Sequence, residues 1–155
     1  MPHDAPALPA ELRLTLDPAP SAETRGQLGS AINAFNARSV PLDSKRFALL
    51  LHDEAGQLVA GLSASMSWTW LFVDGLWVAD AQRGQGIGSA LLARAEAHAR
   101  AHGCHAVWLD TFQARGFYEK LGYVAFAELE NYPRGQSRTF LRKELRDTTS
   151  KERIE

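Results

Sequence analysis

Leu76-Trp77-Val78-Ala79-Asp80-Ala81-Gln82-Arg83-Gly84-Gln85-Gly86-Ile87-Gly88-Ser89-Ala90-Leu91-Leu92 reads as the end of an apolar strand, a glycine loop and the first turn of a helix. Gly84, Gly86 and Gly88 leave little side-chain bulk on the loop, so a ligand could approach the backbone and meet several unpaired N–H groups. Such a helix start suits a phosphate. A Walker loop is excluded, because no Gly-Lys-Ser/Thr follows the glycines, and the dinucleotide pattern G-x-G-x-x-G fails at Ser89. Glu96, the nearest acidic residue downstream, falls inside the expected helix rather than on a second strand. A tight strand-to-helix turn without a ligand remains the plain alternative.

Arg83-Gly84-Gln85-Gly86-Ile87-Gly88 resembles the R/Q-x-x-G-x-G/A signature of the GNAT acyl-CoA N-acetyltransferases, in which the loop amides cradle the pyrophosphate of coenzyme A. Downstream, Ala114-Arg115-Gly116-Phe117-Tyr118-Glu119-Lys120-Leu121-Gly122-Tyr123 is similar to the A-x-x-F/L-Y-x-K-x-G-F/Y segment that ends the core of that family. The stretch from Gly122 to Leu145, with Glu128-Leu129-Glu130-Asn131-Tyr132-Pro133-Arg134-Gly135, resembles a bacterial, small-molecule-type GNAT subgroup. Two motifs in the right order are more specific than either. The resemblance implies coenzyme contacts at Leu76, Trp77, Val78, Arg83, Gly84, Gln85, Gly86, Ile87, Gly88, Ser89, Thr111, Ala114, Phe117, Tyr118 and Lys120. Thr111 departs from the pattern, since many relatives carry asparagine there and a threonine side chain is shorter.

Length and composition independently bound the chain to one globular domain. The 155 residues are 45% hydrophobic and 23% charged, enough for one sizeable core and too few for a second full domain. A net charge of -1 with dispersed basic residues indicates no nucleic-acid or anionic-membrane surface, so a small-molecule partner is expected. Cys104 is the only cysteine, which rules out an internal disulfide and a cysteine metal cluster. No apolar run is long enough to span a membrane, and residues 1–10 lack a signal-peptide pattern, so a cytoplasmic protein is expected.

Residues 1–10, with Pro2, Pro6 and Pro9, read as an irregular arm, 11–145 as one GNAT domain, and 146–155 as a charged flexible tail. Leu12, Leu14 and Leu16 alternate with polar residues as a half-buried strand does. Ser21 caps a helix running to about Arg38, with Leu28, Ile32 and Phe35 at helical spacing. Phe47 to Leu51 reads as a buried strand, Asp53 to Gln57 as a hairpin turn, Leu58 to Trp68 as its partner, and Leu71 to Val78 as a third antiparallel strand after a turn at Thr69 and Trp70. Ile87, Leu91, Leu92, Ala95 and Ala99 line one face of a helix that stops at Gly103. Cys104 to Leu109 is a strand, Ala114 to Leu121 a short helix, and Tyr123 to Leu129 and Thr139 to Leu145 the last two strands. This order is the GNAT order. It implies an α+β fold with a central mixed, mostly antiparallel sheet of about seven strands flanked by helices, splayed between the fourth (to Val78) and fifth (to Leu109) strands.

Acetyl transfer from a thioester to an amine needs a neutral amine, a close carbonyl carbon, stabilisation of the developing oxyanion and a proton for the leaving thiolate. The resemblance assigns the oxyanion and the acetyl arm to the main chain of Leu76, Trp77 and Val78, and the proton to the phenol of Tyr118. Asp74, an acidic residue inside an apolar strand, is a candidate to take the amine proton or to bind a cationic substrate. It reads equally as a carboxylate at the sheet rim or paired with an arginine. Trp68, Trp70, Phe72 and Trp77 crowd one hairpin, where rings could hold a cationic amine; such a cluster also suits core or the seam of a homodimer. Tyr132 is a further substrate candidate. His98 and His102 share a helix face without a third ligand nearby, so no metal is expected.

The sequence therefore points to an acetyl-CoA-dependent N-acetyltransferase acting by direct transfer on a primary amine of a small molecule. A protein N-terminus or lysine as acceptor, a non-catalytic acyl-CoA-binding module and a nucleotide-binding protein are the alternatives.

Overall fold

The computed structural model describes residues 5–145, so residues 1–4 of the expected arm and the expected tail at 146–155 lie outside the described residues. The chain divides into two compact units, Met1–Leu42 and Asp43–Glu155.

Among its described residues the first unit holds one helix, α1 (Ala22–Asn36). Ser21 caps it as its sequence position suggests, its hydroxyl accepting from the Thr24 N–H at 3.1 Å. Within this unit α1 buries none of its residues, Leu28, Ile32 and Phe35 included. The strand expected at Leu12, Leu14 and Leu16 does not form; this stretch is irregular and all three leucines are exposed. Alternation supplies an apolar side, but a strand also needs a neighbour to pair its backbone, and no ladder among the described residues includes these positions. Among the described residues the sheet consequently has six strands, close to the about seven expected.

In the second unit the elements are β1 (Ser44–His52), β2 (Leu58–Ser67), β3 (Trp70–Val78), a single 3-10 turn at Asp80–Gln82, α2 (Ile87–Ala101), β4 (Ala106–Thr111), α3 (Arg115–Lys120), β5 (Val124–Glu130) and β6 (Ser137–Glu144). They build one mixed sheet in the order β1-β2-β3-β4-β6-β5. All pairings are antiparallel except β3 with β4. The expected buried strand at Phe47 to Leu51 is instead the edge strand β1, with Phe47 and Leu49 half-buried and Leu50 and Leu51 exposed, because only one strand flanks it. The β2–β3 turn is Trp68–Thr69, one residue earlier than its sequence suggests, and both residues adopt positive φ, at 45° and 78°.

Alternate residues of the central strands form the core. Leu62 of β2, Leu71 of β3, Val107 and Leu109 of β4 and Leu141 of β6 are fully buried, together with Leu92 of α2. Leu91, Ala95 and Ala99 complete the apolar side of that helix, as its spacing predicts. Burial of this size is the main stabilising contribution to the unit.

Two irregularities open the sheet at one end of β3. Ala64 pairs with Val73 and Ser63 with Gly75, which leaves Asp74 as the extra residue of a β-bulge. β3 and β4 then share only three rungs, Trp70 with Ala106, Leu71 with Val107 and Phe72 with Trp108. Beyond Phe72 the two parallel strands part. The β4-facing backbone of β3, including Leu76, Trp77 and Val78, is left without a ladder, where sequence reasoning places the splay.

Candidate active site

A cleft of about 690 Å³ occupies the opening. Leu76, Trp77 and Val78 of β3 form one wall, the glycine loop and the first turn of α2 another, and Ala114 at the start of α3 with Phe117 and Tyr118 on it the third.

The loop has the geometry its glycines allow. Gly84 and Gly86 have φ of 77° and 74°, a region that side-chain-bearing residues rarely enter. A Cβ placed on either would meet nothing within 4 Å, so the space over the loop is open. Gly88 serves a different purpose, because a Cβ there would lie 3.4 Å from the Phe117 ring and 3.8 Å from Val78. Its missing side chain lets α2 start close against α3 and β3. Gly86 caps α2 with no side-chain hydrogen bond, which leaves the first N–H groups of the helix for a ligand. Arg83 ties the loop down by donating from Nε to the Val78 carbonyl at 3.1 Å, while its Nη1 meets Asp80 at 2.9 Å. These features fit a pyrophosphate: donors without partners, positive helix polarity and room for bulk.

Tyr118 sits on α3 with its ring buried, packed edge-on against Phe117 and Tyr123. Burial, and secondarily the charge of Asp110, raise its phenol above the usual value, so the proton stays in place at neutral pH.

Twelve of the fifteen expected coenzyme residues line the cleft: Leu76, Trp77, Val78, Arg83, Gly84, Gly86, Ile87, Gly88, Ser89, Ala114, Phe117 and Tyr118. Gln85 and Lys120 are exposed and are not among its lining residues. Thr111 has a local task, its hydroxyl accepting from the N–H groups of Gln113 and Ala114 at 3.3 and 3.1 Å and so shaping the turn into α3. Gln82 and Gln113 also line the cleft, although the sequence does not single them out. Each lies inside or beside a motif, but nothing in the spacing marks which way an amide points.

The substrate candidates separate. Asp74, on its bulge in an interior strand, accepts from Arg46 Nη2 at 2.7 Å and from the Ser63 hydroxyl, so it is paired with an arginine rather than placed at a sheet rim. Tyr132, in the β5–β6 connection, covers the Arg138 guanidinium at 4.1 Å from its ring centroid. Trp68 and Trp70 are not brought to the cleft. They lie where β3 begins, with Trp70 beside Trp108, Phe126 and Arg142 in a shallow depression and Trp68 beside Asp43, Thr69, His102 and Cys104. Cys104 is buried, and burial first, then Asp43, raises its thiol, which disfavours the nucleophilic thiolate. Among the described residues no three His, Cys, Asp or Glu side chains group as a metal site, and no helix is long and apolar enough to cross a membrane.

The acetyltransferase (GNAT) family matches residues 15–123. Over 95 residues the chain is 47% identical to a blasticidin-S acetyltransferase of Streptomyces morookaense, covering 59% of this chain and 70% of that protein. It is 32% identical over 135 residues to an acetyltransferase of Agrobacterium fabrum, covering 85% of this chain and 98% of that one. A solved structure from Agrobacterium tumefaciens superposes with a TM-score of 0.81 at 30% identity, over 86% of this chain and 99% of the other.

Proposed function

The chain belongs to the GNAT acetyltransferase family, and from that premise we propose that it moves the acetyl group of acetyl-CoA directly to a primary amine of a small, cationic molecule. One observation carries the reading. The opened edge of β3, the uncapped start of α2 and the buried phenol of Tyr118 converge on a single cleft.

Each wall has a task. The loop from Arg83 to Ser89 holds the pyrophosphate of the co-substrate through backbone N–H groups. The main chain of Leu76, Trp77 and Val78, free of a β4 ladder, orients the acetyl arm and donates to the oxyanion. Tyr118 gives its proton to the leaving thiolate. Asp74 is held by Arg46 and Ser63, and a cationic acceptor on the β3 side exchanges with the Arg46 guanidinium for its carboxylate. The blasticidin-S acetyltransferase relative favours a small-molecule acceptor over a protein terminus.

The test is a melting experiment with and without acetyl-CoA, followed by turnover with blasticidin S. A ligand bound only by the native state raises the melting temperature, by an amount equivalent to about 2.7 kcal/mol at one hundred times its dissociation constant. The expected result is a clear rise for the wild type and almost none for Gly86→Glu, whose side chain would fill the open space over the loop. No rise at millimolar acetyl-CoA would end the proposal. A rise with turnover of peptides but no small amine would move the acceptor to a protein terminus or lysine.

A further inference from the structure

Phe72 and Trp108, the last paired rung of β3 and β4, stack on one side of the sheet with ring centroids 4.1 Å apart. Side chains alternate along a strand, so the residues two places on share that side. They are Asp74 on β3 and Asp110 on β4, each two residues past the last paired rung on the two strands that part, and neither is among the residues lining the cleft itself. The register agrees: Val73 and Leu109 are buried on the core side, whereas the partner of Asp110 is Arg138 of β6, Nη1 to Oδ1 at 2.6 Å.

The two carboxylates are differently engaged. Asp74 is bonded through both oxygens, by Arg46 and by Ser63. Asp110 uses Oδ1 for Arg138, and its Oδ2 has no hydrogen-bond partner among the described residues. Arg138 is itself held between aromatic rings, 4.1 Å from the Tyr132 centroid and 5.4 Å from that of Phe112. This clamp fixes the carboxylate without occupying its second oxygen. Asp110 also lies within electrostatic reach of the buried Tyr118 phenol on the far side of β4.

Resting on the acetyltransferase reading above, we propose that Asp110 is a catalytic residue of this site, taking the first proton from the acceptor's ammonium through Oδ2 while Asp74, in exchange for Arg46, holds the same cation from β3. The step balances. The ammonium gives one proton to Asp110 and becomes an amine, whose lone pair forms the new C–N bond as the C–S bond breaks. Tyr118 protonates the departing sulfur and recovers a proton from the acylated nitrogen, and Asp110 releases its proton to solvent when the amide leaves. Tyr132 and Phe112, exposed beyond Arg138, make the rim of this subsite aromatic. The substrate class is accordingly a primary ammonium attached to a flat ring or an apolar stem.

Asp110→Asn keeps the shape of the side chain and its acceptor for Arg138, and Asp74→Asn is the control. Rates are measured with acetyl-CoA and blasticidin S, benzylamine or spermidine, with two further readouts: the melting shift given by coenzyme A, and calorimetric affinity of each amine for the coenzyme-saturated protein. For Asp110→Asn we expect a fall in kcat of at least about 100-fold on the amine the wild type turns over, within the usual range for a lost acid or base. Amine affinity should weaken about tenfold and the coenzyme A shift should persist. Asp74→Asn should raise the acceptor KM more than it lowers kcat. Unchanged kcat in Asp110→Asn overturns the assignment, and so does a kcat loss accompanied by loss of the coenzyme A shift, since Asp110 would then only support the cleft. If the wild type shows neither a coenzyme A shift nor turnover of any of the three amines, the acetyltransferase reading itself has failed and the role of Asp110 falls with it.

Discussion

β3 is one strand with two different ends. From Trp70 to Phe72 it is paired on both edges, to β2 and to β4, and its side chains are stacked or buried. From Gly75 to Val78 it is paired to β2 alone, with one backbone edge open to a cleft. Both ends are aromatic and apolar, so composition does not separate them. What separates them is the ladder. Where every N–H and C=O has a protein partner the strand is structure, and where one edge loses its partner the backbone itself can bind and polarise a ligand.

The sharpest way to break this comparison is to strike the open end without touching the closed one. Tyr118→Phe removes one hydroxyl from the cleft and keeps the ring that packs on Phe117 and Tyr123. We expect kcat to fall about 10²- to 10⁴-fold with the coenzyme A melting shift preserved. A variant with wild-type kcat would mean the thiolate takes its proton elsewhere and that the cleft wall at α3 is only scaffold.

The opposite blow falls on the paired part of the sheet. Glu96 of α2 is 5% exposed and accepts from Lys143 Nζ of β6 at 2.6 Å, joining the helix to the strand beside β4. Lys143→Met leaves that carboxylate without its cation. Removing one partner of a buried pair costs about 3 to 5 kcal/mol, and the low end applies because Lys143 is 29% exposed. Melting curves should show a drop of several degrees, with kcat per folded molecule within a factor of three of wild type. A large kcat loss in the folded variant would show that the closed region is coupled to the open one, contrary to the division drawn from the ladder.

How far the sequence was legible obeys the same division. The glycine loop could be read because its backbone demands are written in residue type: Gly84 and Gly86 take positive φ, and Gly88 admits the Phe117 ring. Helix caps and core faces were legible for similar local reasons. The aromatic hairpin was not, because alternation reports which side of a strand a tryptophan takes and not which end of the strand binds anything. Leu12, Leu14 and Leu16 had a strand's pattern but no neighbour, and pairing is not a property of one segment. Asp110 carries no local mark either, because its meaning depends on Arg138, 28 residues away, and on a ladder that stops two residues earlier, at Trp108.

The smallest expected effect tests the paired region most finely. Tyr123 is buried and its hydroxyl has no hydrogen-bond partner among the described residues, an arrangement that costs desolvation without recovering a bond. Burial first, then the charge of Glu96, pushes its phenol far above the usual range, and Tyr118 is raised as well. The unfolded chain releases phenolic protons near pH 10, whereas the folded chain keeps them. The native state therefore holds this contribution in full below about pH 10 and loses it as the pH rises further. Tyr123→Phe removes the orphaned hydroxyl, so at pH 7 the melting temperature should stay the same or rise slightly, with kcat unchanged. Between about pH 9.5 and 11 its melting temperature should fall less steeply than that of the wild type. Equal slopes would place the alkaline loss on Tyr118 and the cleft rather than on the closed core. A destabilised Tyr123→Phe would instead mean that the hydroxyl has found a partner such as an ordered water, and that the interior beside Glu96 and Lys143 is less dry than its burial implies.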